Sequence, residues 1–146
     1  MLAHNPHIFY SDDDMDDQDL FRDALSEVDD SLILTTANDG DVLLNMLKQT
    51  DAAPRVIFLD LNMPRKNGYE VLEEIRRDDK LKAFPVVIFS TTSNDKAIAK
   101  TREMGANLFV SKPRSYQGLK EAIATCVNMD WAHFSPASNN YFHSFT

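Results

Sequence analysis

The chain has 146 residues, 43% of them hydrophobic and 26% charged, which suits one compact domain with an adequate core and leaves no room for a second full one. A formal charge of -8, with no block of five or more Lys or Arg, argues against a phosphate-backbone surface for DNA or RNA and favours cations or basic protein patches as partners. The single Cys126 forms no internal disulfide, and no stretch approaches the ~18 apolar residues of a membrane span or the layout of a signal peptide, so a reducing, cytoplasmic location is expected.

A first apolar run, His7 to Ser11, reads as a strand and gives way to "DDDMDDQD", six aspartates within eight positions. Neighbouring carboxylates repel by roughly 1 kcal/mol in water at ~4 Å, so this density needs a physical reason. Leu20, Phe21, Ala24, Leu25 and Val28 then carry the apolar stripe of a first helix. Asp14 is set to cap that helix, Asp16 and Asp17 lie in its first turn where the dipole favours anions, and Asp19 is expected in solvent. Leu32 to Ala37 reads as a second strand and Val42 to Leu47 as a weaker helical stripe. Val56 to Leu59 forms a third strand running into Asp60, followed by a helix over Tyr69 to Ile75 whose entry turn opens at Gly68. Val86 to Phe89 is a fourth strand ending at Ser90, and Ala97 to Met104 a helix closed by Gly105. Leu108 to Val110, the fifth strand, leads to Lys112, and Leu119, Ala122, Ile123, Cys126 and Val127 line the last helix. Strand starts recur about every 22 to 30 residues and the strands are nearly all apolar, which predicts a doubly wound α/β fold around a parallel sheet.

Folds of this class gather polar chemistry at the C-terminal ends of the strands, beside the switch in strand order. Asp12, Asp13, Asp60, Ser90 and Lys112 occupy those ends. Singly, each has an ordinary reading: an Asp caps a helix, a Ser satisfies a turn, a Lys-Pro pair ends a strand. Together, three carboxylates on an apolar sheet edge raise one another's pKa values unless a divalent cation with a preference for oxygen ligands neutralises them. Mg²⁺ meets that need, because it takes one or two carboxylates and leaves positions free for phosphate oxygens. Lys112 and Ser90 offer further partners for a phosphoryl group and Asp60 is a carboxylate nucleophile, so the constellation predicts phosphoryl transfer to Asp60.

"SDDD" after the first strand, "LDLNMPRKNG" around Asp60, "FPVVIFSTTS" through Ser90 and "GANLFVSKP" around Lys112 closely resemble the receiver domain of bacterial two-component response regulators, over about residues 7 to 128. "DLNMPRKNG" and "RRDDKLKAFPVV" are most similar to stand-alone receivers that work with phytochrome-type sensor kinases. The resemblance implies a flavodoxin-like five-stranded sheet in the order 2-1-3-4-5 with five helices. It also implies that a histidine kinase phosphorylates Asp60, and that Mg²⁺, with Mn²⁺ as a possible substitute, is bound by Asp12, Asp13, Asp60 and the backbone carbonyl of Asn62. In that scheme Asp12 acts mainly through bound water, Lys112 and Ser90 contact phosphoryl oxygens, the backbone N-H of Thr91 assists, and Asn62 and Thr92 modulate water's access to the acyl phosphate. Ser90 and Phe109 form the switch, although Phe109 lacks the hydroxyl of the commoner Tyr. The Lys112-Pro113 bond is implied to be cis. Such a protein is no enzyme beyond assisting its own phosphorylation and dephosphorylation. It would signal through protein contacts at helix 4, strand 5 and helix 5, to a histidine phosphotransfer protein or a second copy.

Residues 1 to 130 are assigned to this domain and residues 131 to 146 to an extension, with no separate output module. That extension, "WAHFSPASNNYFHSFT", holds Trp131, Phe134, Tyr141, Phe142 and Phe145, more aromatic residues than a solvating tail carries. Docking on the last helix, a dimer or kinase contact, and disorder all remain open for it. His4, His7, His133 and His143 lack metal-ligand spacing. A flavin binder would need a phosphate-cradling Ser/Thr/Gly loop where the acids stand, and an aspartate-based phosphatase a second Asp where Asn62 stands. The alternative is a phosphorylation-independent receiver-like binding module, which would be marked by loss of Asp60, Lys112 or the acidic pair; all are present.

Overall fold

A computed structural model describes residues 5–134 and 140–146. The five expected strands are β1 (His7–Ser11), β2 (Ile33–Ala37), β3 (Val56–Leu59), β4 (Val86–Ser90) and β5 (Leu108–Ser111). They alternate with α1 (Met15–Val28), α2 (Gly40–Gln49), α3 (Gly68–Arg77), α4 (Asp95–Glu103) and α5 (Tyr116–Val127). A further strand, β6 (Phe142–Ser144), corrects the five-stranded expectation: the sheet has six strands in the order β2-β1-β3-β4-β5-β6. All pairings are parallel, and β6 lies along β5 with Phe142 opposite Phe109. A three-residue strand, "FHS", carries too little alternation for a period to be read, which is why the sequence hid it.

The strand period of two divides the core. Phe9, Ile57, Leu59, Val86, Ile88 and Phe109 face Leu43, Leu47, Val71, Leu72 and Ile75 of α2 and α3. Ile8, Tyr10, Val56, Phe58, Val87 and Phe89 face Phe21, Ala24 and Leu25 of α1 and Ala122, Ile123 and Cys126 of α5. β3 and β4 lie in the middle of the sheet, covered on both faces, and every one of their residues is buried. Leu20, expected in the α1 stripe, is 49% exposed, because it sits about 100° round the helix from the buried Phe21.

Helix entries follow the cap chemistry of the sequence. The Asp14 side chain accepts hydrogen bonds from the backbone N-H of Asp16 and Asp17, and Asn67 and Glu70 form a reciprocal capping box at α3. Gly105 follows α4 with φ 98°, the left-handed conformation that favours glycine.

The C-terminal extension docks on both sides of its own sheet. The Trp131 indole N-H donates to the Cys126 carbonyl at 3.1 Å, and Trp131 and Phe134 pack on the α1 and α5 side, as docking on the last helix requires. Tyr141, by contrast, is buried in the opposite layer beside Phe109. Positions 135–139 and His4 lie outside the described residues.

Candidate functional site

The tips of β1, β3, β4 and β5 meet at one rim, where the ladders of β1, β3 and β5 each continue one residue past the strand's end and Ser90 closes β4. Asp12 N-H donates to Ala37 O at 3.1 Å, Asp60 N-H to Ser11 O at 3.1 Å, and Lys112 N-H to Ser90 O at 3.0 Å. Backbone pairing thus fixes three of the predicted site residues before any side chain acts. On the α1 side the Gln18 amide donates to the Asp12 carbonyl at 2.6 Å.

Asp12, Asp13 and Asp60 each present a carboxylate oxygen, all within 4.8 Å of one another. Asp12 and Asp60 are buried while Asp13 is exposed. A compact set of hard oxygen donors, reachable from solvent on the Asp13 side, fits Mg²⁺ or Mn²⁺. The Tyr10 hydroxyl donates to Asp12 Oδ2 at 2.5 Å, and burial followed by the charge of Asp12 holds its proton far above the ordinary phenol range.

Lys112 ties these acids together. Its Nζ donates to Asp12 Oδ2 at 2.6 Å, Asp17 Oδ2 at 2.9 Å and Asp60 Oδ2 at 3.3 Å. Burial alone would lower the ammonium pKa, but the hydrogen bonds to Asp12 and Asp17 and the charge of Asp60 outweigh it, so the group stays charged above its usual range. Burial pushes the Asp60 carboxyl up; Lys112 pulls it back, and Asp12 adds to the rise.

Ser90 is fully buried at the end of β4, and its Oγ accepts the Thr92 N-H at 3.2 Å. Thr91 is exposed beside it at the rim. The Asn62 amide donates to Thr92 Oγ1 at 3.0 Å, so the two residues expected to govern water access touch. Asn62 N-H also donates to Asp60 Oδ1 at 3.2 Å. Phe109 is fully buried, its ring 6.5 Å from that of Tyr141 and 5.8 Å from that of Phe142.

Gly68 is required by close approach rather than by its turn alone. A Cβ there would fall 2.4 Å from the Asp60 carbonyl oxygen and 2.7 Å from Leu61 Cα. The Lys112-Pro113 bond corrects the implied cis geometry: no cis peptide bond occurs among the described residues. The backbone bond to Ser90 and the four-carbon stem bring the ammonium to the acids from a trans bond.

Sequence reading missed Asp17, which it assigned to the helix dipole, and Tyr10, which it read only as strand. Asp17 meets Lys112 from 95 positions away, and its place in the first turn of α1 already accounts for an acid there, so nothing local in the sequence marks the contact.

Among known proteins, the model of the response regulator receiver domain matches residues 8–124. The response regulator Rcp1 of Synechocystis is 33% identical over 123 residues, covering 80% of this chain and 82% of Rcp1. The probable methanogenesis regulatory protein FilR2 of Methanothrix harundinacea is 33% identical over 89 residues, 58% of this chain, and the chain spans 57% of FilR2. Among solved structures, the phosphorylated cyanobacterial phytochrome response regulator RcpA superposes with a TM-score of 0.78 at 29% identity, over 90% of this chain and 97% of that one. The Mn²⁺-bound form of Rcp1 gives 0.75 at 28% identity, over 90% and 99%. No described helix is long and apolar enough to cross a membrane. The chain belongs to the response regulator receiver domains of two-component signalling, a family that binds Mg²⁺ or Mn²⁺ in an acidic pocket and interacts with histidine kinases.

Proposed function

We propose that this receiver accepts a phosphoryl group on Asp60 from the phosphohistidine of a sensor histidine kinase and signals through phosphorylation-dependent protein contacts. The observation that carries the reading is the Lys112 ammonium, 3.3 Å from Asp60 Oδ2, at the edge of a carboxylate triad that fits a divalent cation. Asp12, Asp13 and Asp60, with the backbone carbonyl of Asn62, would hold Mg²⁺ or Mn²⁺, Asp12 mainly through bound water. When bound, the cation neutralises carboxylate and phosphoryl charge and orients the phosphoryl oxygens.

An Asp60 carboxylate oxygen attacks phosphorus in line with the phosphohistidine P-N bond. The O-P bond forms as P-N breaks, and the electron pair returns to the imidazole nitrogen. Lys112 pairs with one phosphoryl oxygen, the Ser90 hydroxyl donates to another, and the Thr91 N-H assists. Asn62 and Thr92, joined by their hydrogen bond, stand where water reaches the acyl phosphate and set its lifetime. The phosphoryl group, with a charge of about -1.5 to -2 in place of the single carboxylate charge, draws the Ser90 hydroxyl toward it and biases Phe109 on the adjacent strand. Receiver domains are generally not catalysts, and this one assists only its own phosphorylation and dephosphorylation.

Residues 1–130 make up the receiver and residues 131–146 an extension, of which Trp131, Phe134 and Phe142 to Ser144 pack back on it. Likeness to Rcp1 and RcpA supports a phytochrome-type kinase as donor, with the reaction in the cytoplasm. Output runs through α4, β5 and α5, with β6 along the β5 edge, toward a histidine phosphotransfer protein or a second copy.

The test is intact-mass analysis after treatment with a small phosphodonor and Mg²⁺. One added phosphoryl in the wild type and none in Asp60→Asn supports the reading. No gain in either overturns it in favour of a phosphorylation-independent binding module.

A further inference from the structure

The three donors of the Lys112 ammonium meet three carboxylates with unequal obligations. Asp12 already accepts the Tyr10 hydroxyl on Oδ2 and the Asp14 N-H on Oδ1, and it belongs to the cation-fitting triad. Asp60 belongs to the same triad and, as the phosphoacceptor, gives up its carboxylate charge to the phosphoryl oxygens when it becomes an acyl phosphate. Asp17 has neither duty. It accepts from Lys112 at 2.9 Å from the first turn of α1, where the Asp14 cap holds its backbone N-H at 3.2 Å.

We propose that Asp17 is a positioning residue, which holds the Lys112 ammonium over the phosphoacceptor from the α1 side while Asp12 and Asp60 exchange partners. The inference rests on Asp60 being the phosphoacceptor. Its physical basis is competition. An ammonium that loses the Asp17 carboxylate settles on Asp12 and Asp60, whose oxygens a divalent cation also requires. Asp17 therefore relieves a contest between two cations for one pair of acids and keeps one donor fixed during transfer. The rest of the ammonium's donors remain free to follow the phosphoryl oxygens.

Asp17→Asn keeps the side chain's size, and Asp14 still caps the helix. The experiment compares wild type, Asp17→Asn, Lys112→Met and the double variant in two assays: Mg²⁺ titration by calorimetry, and the rate of mass gain from acetyl phosphate. Asp17→Asn is expected to weaken Mg²⁺ about fivefold and slow phosphorylation about tenfold when Lys112 is present, and to leave Mg²⁺ binding within about twofold in the Lys112→Met background. Equal weakening in both backgrounds would overturn the inference, since Asp17 would then act as a bare charge. So would an unchanged phosphorylation rate in Asp17→Asn when the wild type is phosphorylated normally. A wild type that binds Mg²⁺ yet gains no mass refutes the phosphoacceptor reading instead, and the positioning role of Asp17 falls with it.

Discussion

The hydroxyl of Tyr141, in the C-terminal extension, lies 2.7 Å from the hydroxyl of Thr101 in α4. The Tyr141 carbonyl also accepts the Phe109 N-H at 2.9 Å, and its ring meets Phe109 edge-on. One residue near the chain terminus thus joins α4 to β5, directly beside the aromatic read as the switch. Phe109 carries no hydroxyl; at this end of the core the phenol belongs to the extension.

Replacing Tyr141 by Phe removes that hydrogen bond but keeps the buried ring. Thr101 retains its bond to the Ala97 carbonyl at 3.0 Å, so no polar group is stranded. The expected cost is about 1 kcal/mol, read from urea denaturation midpoints. A loss below about 0.3 kcal/mol would mean that the contact does not hold the extension in place.

Alkaline pH tests the same residue from another side. Burial pushes the Tyr141 phenol up to about 12 from its ordinary 10.0. The folded protein therefore keeps a proton that the unfolded chain has released. This contribution is whole below pH 10.0 and is lost as pH rises through about 12. Wild type should lose stability across that window more steeply than Tyr141→Phe. Parallel slopes would contradict the assignment.

Asp60→Asn should stabilise the protein at neutral pH in buffer without divalent cations. Because burial raises the folded carboxyl pKa, the ionised form is the disfavoured one. Its penalty is absent below the ordinary carboxylate range and grows as pH rises through the raised value, so the variant's advantage should vanish in acid. Thermal melts at several pH values measure this, and added Mg²⁺ should stabilise the wild type more than the variant.

Gly68→Ala forces the Asp60 carbonyl aside, since the new methyl would lie 2.4 Å from it. A loss of about 1–3 kcal/mol is expected, together with slower phosphorylation, because the displaced backbone is that of the proposed phosphoacceptor. Unchanged stability and rate would show that α3 can shift as a unit.

Asn62→Ala and Thr92→Ala should be non-additive in the lifetime of the phosphorylated protein. Their side chains hydrogen-bond at 3.0 Å, so either truncation frees the other partner. A coupling of about two- to fivefold is expected in the double variant against the product of the singles. Strict additivity would show that the bond has no part in water access.

The five longer strands were legible because each is a run of apolar residues ending at a polar one, and those endings held Asp12, Asp13, Asp60, Ser90 and Lys112. Two features were not. Asp17 meets Lys112 across 95 positions, a contact with no local signature, whereas its place in a helix start offered a sufficient local reason for an acid. β6 has three residues and gains its meaning only from the β5 edge it covers. The aromatic content of the extension indicated docking, but only tertiary packing decides that Trp131 and Tyr141 go to opposite layers.

Asp12 and Lys112 stand 100 positions apart in the chain yet 2.6 Å apart in space. No nascent fragment that stops short of β5 can assemble the pocket, however well its earlier strands have formed. A polypeptide still leaving the ribosome is therefore chemically silent until β5 has emerged. Competence to take up phosphate becomes, in effect, a certificate that the chain from β1 to β5 has come together.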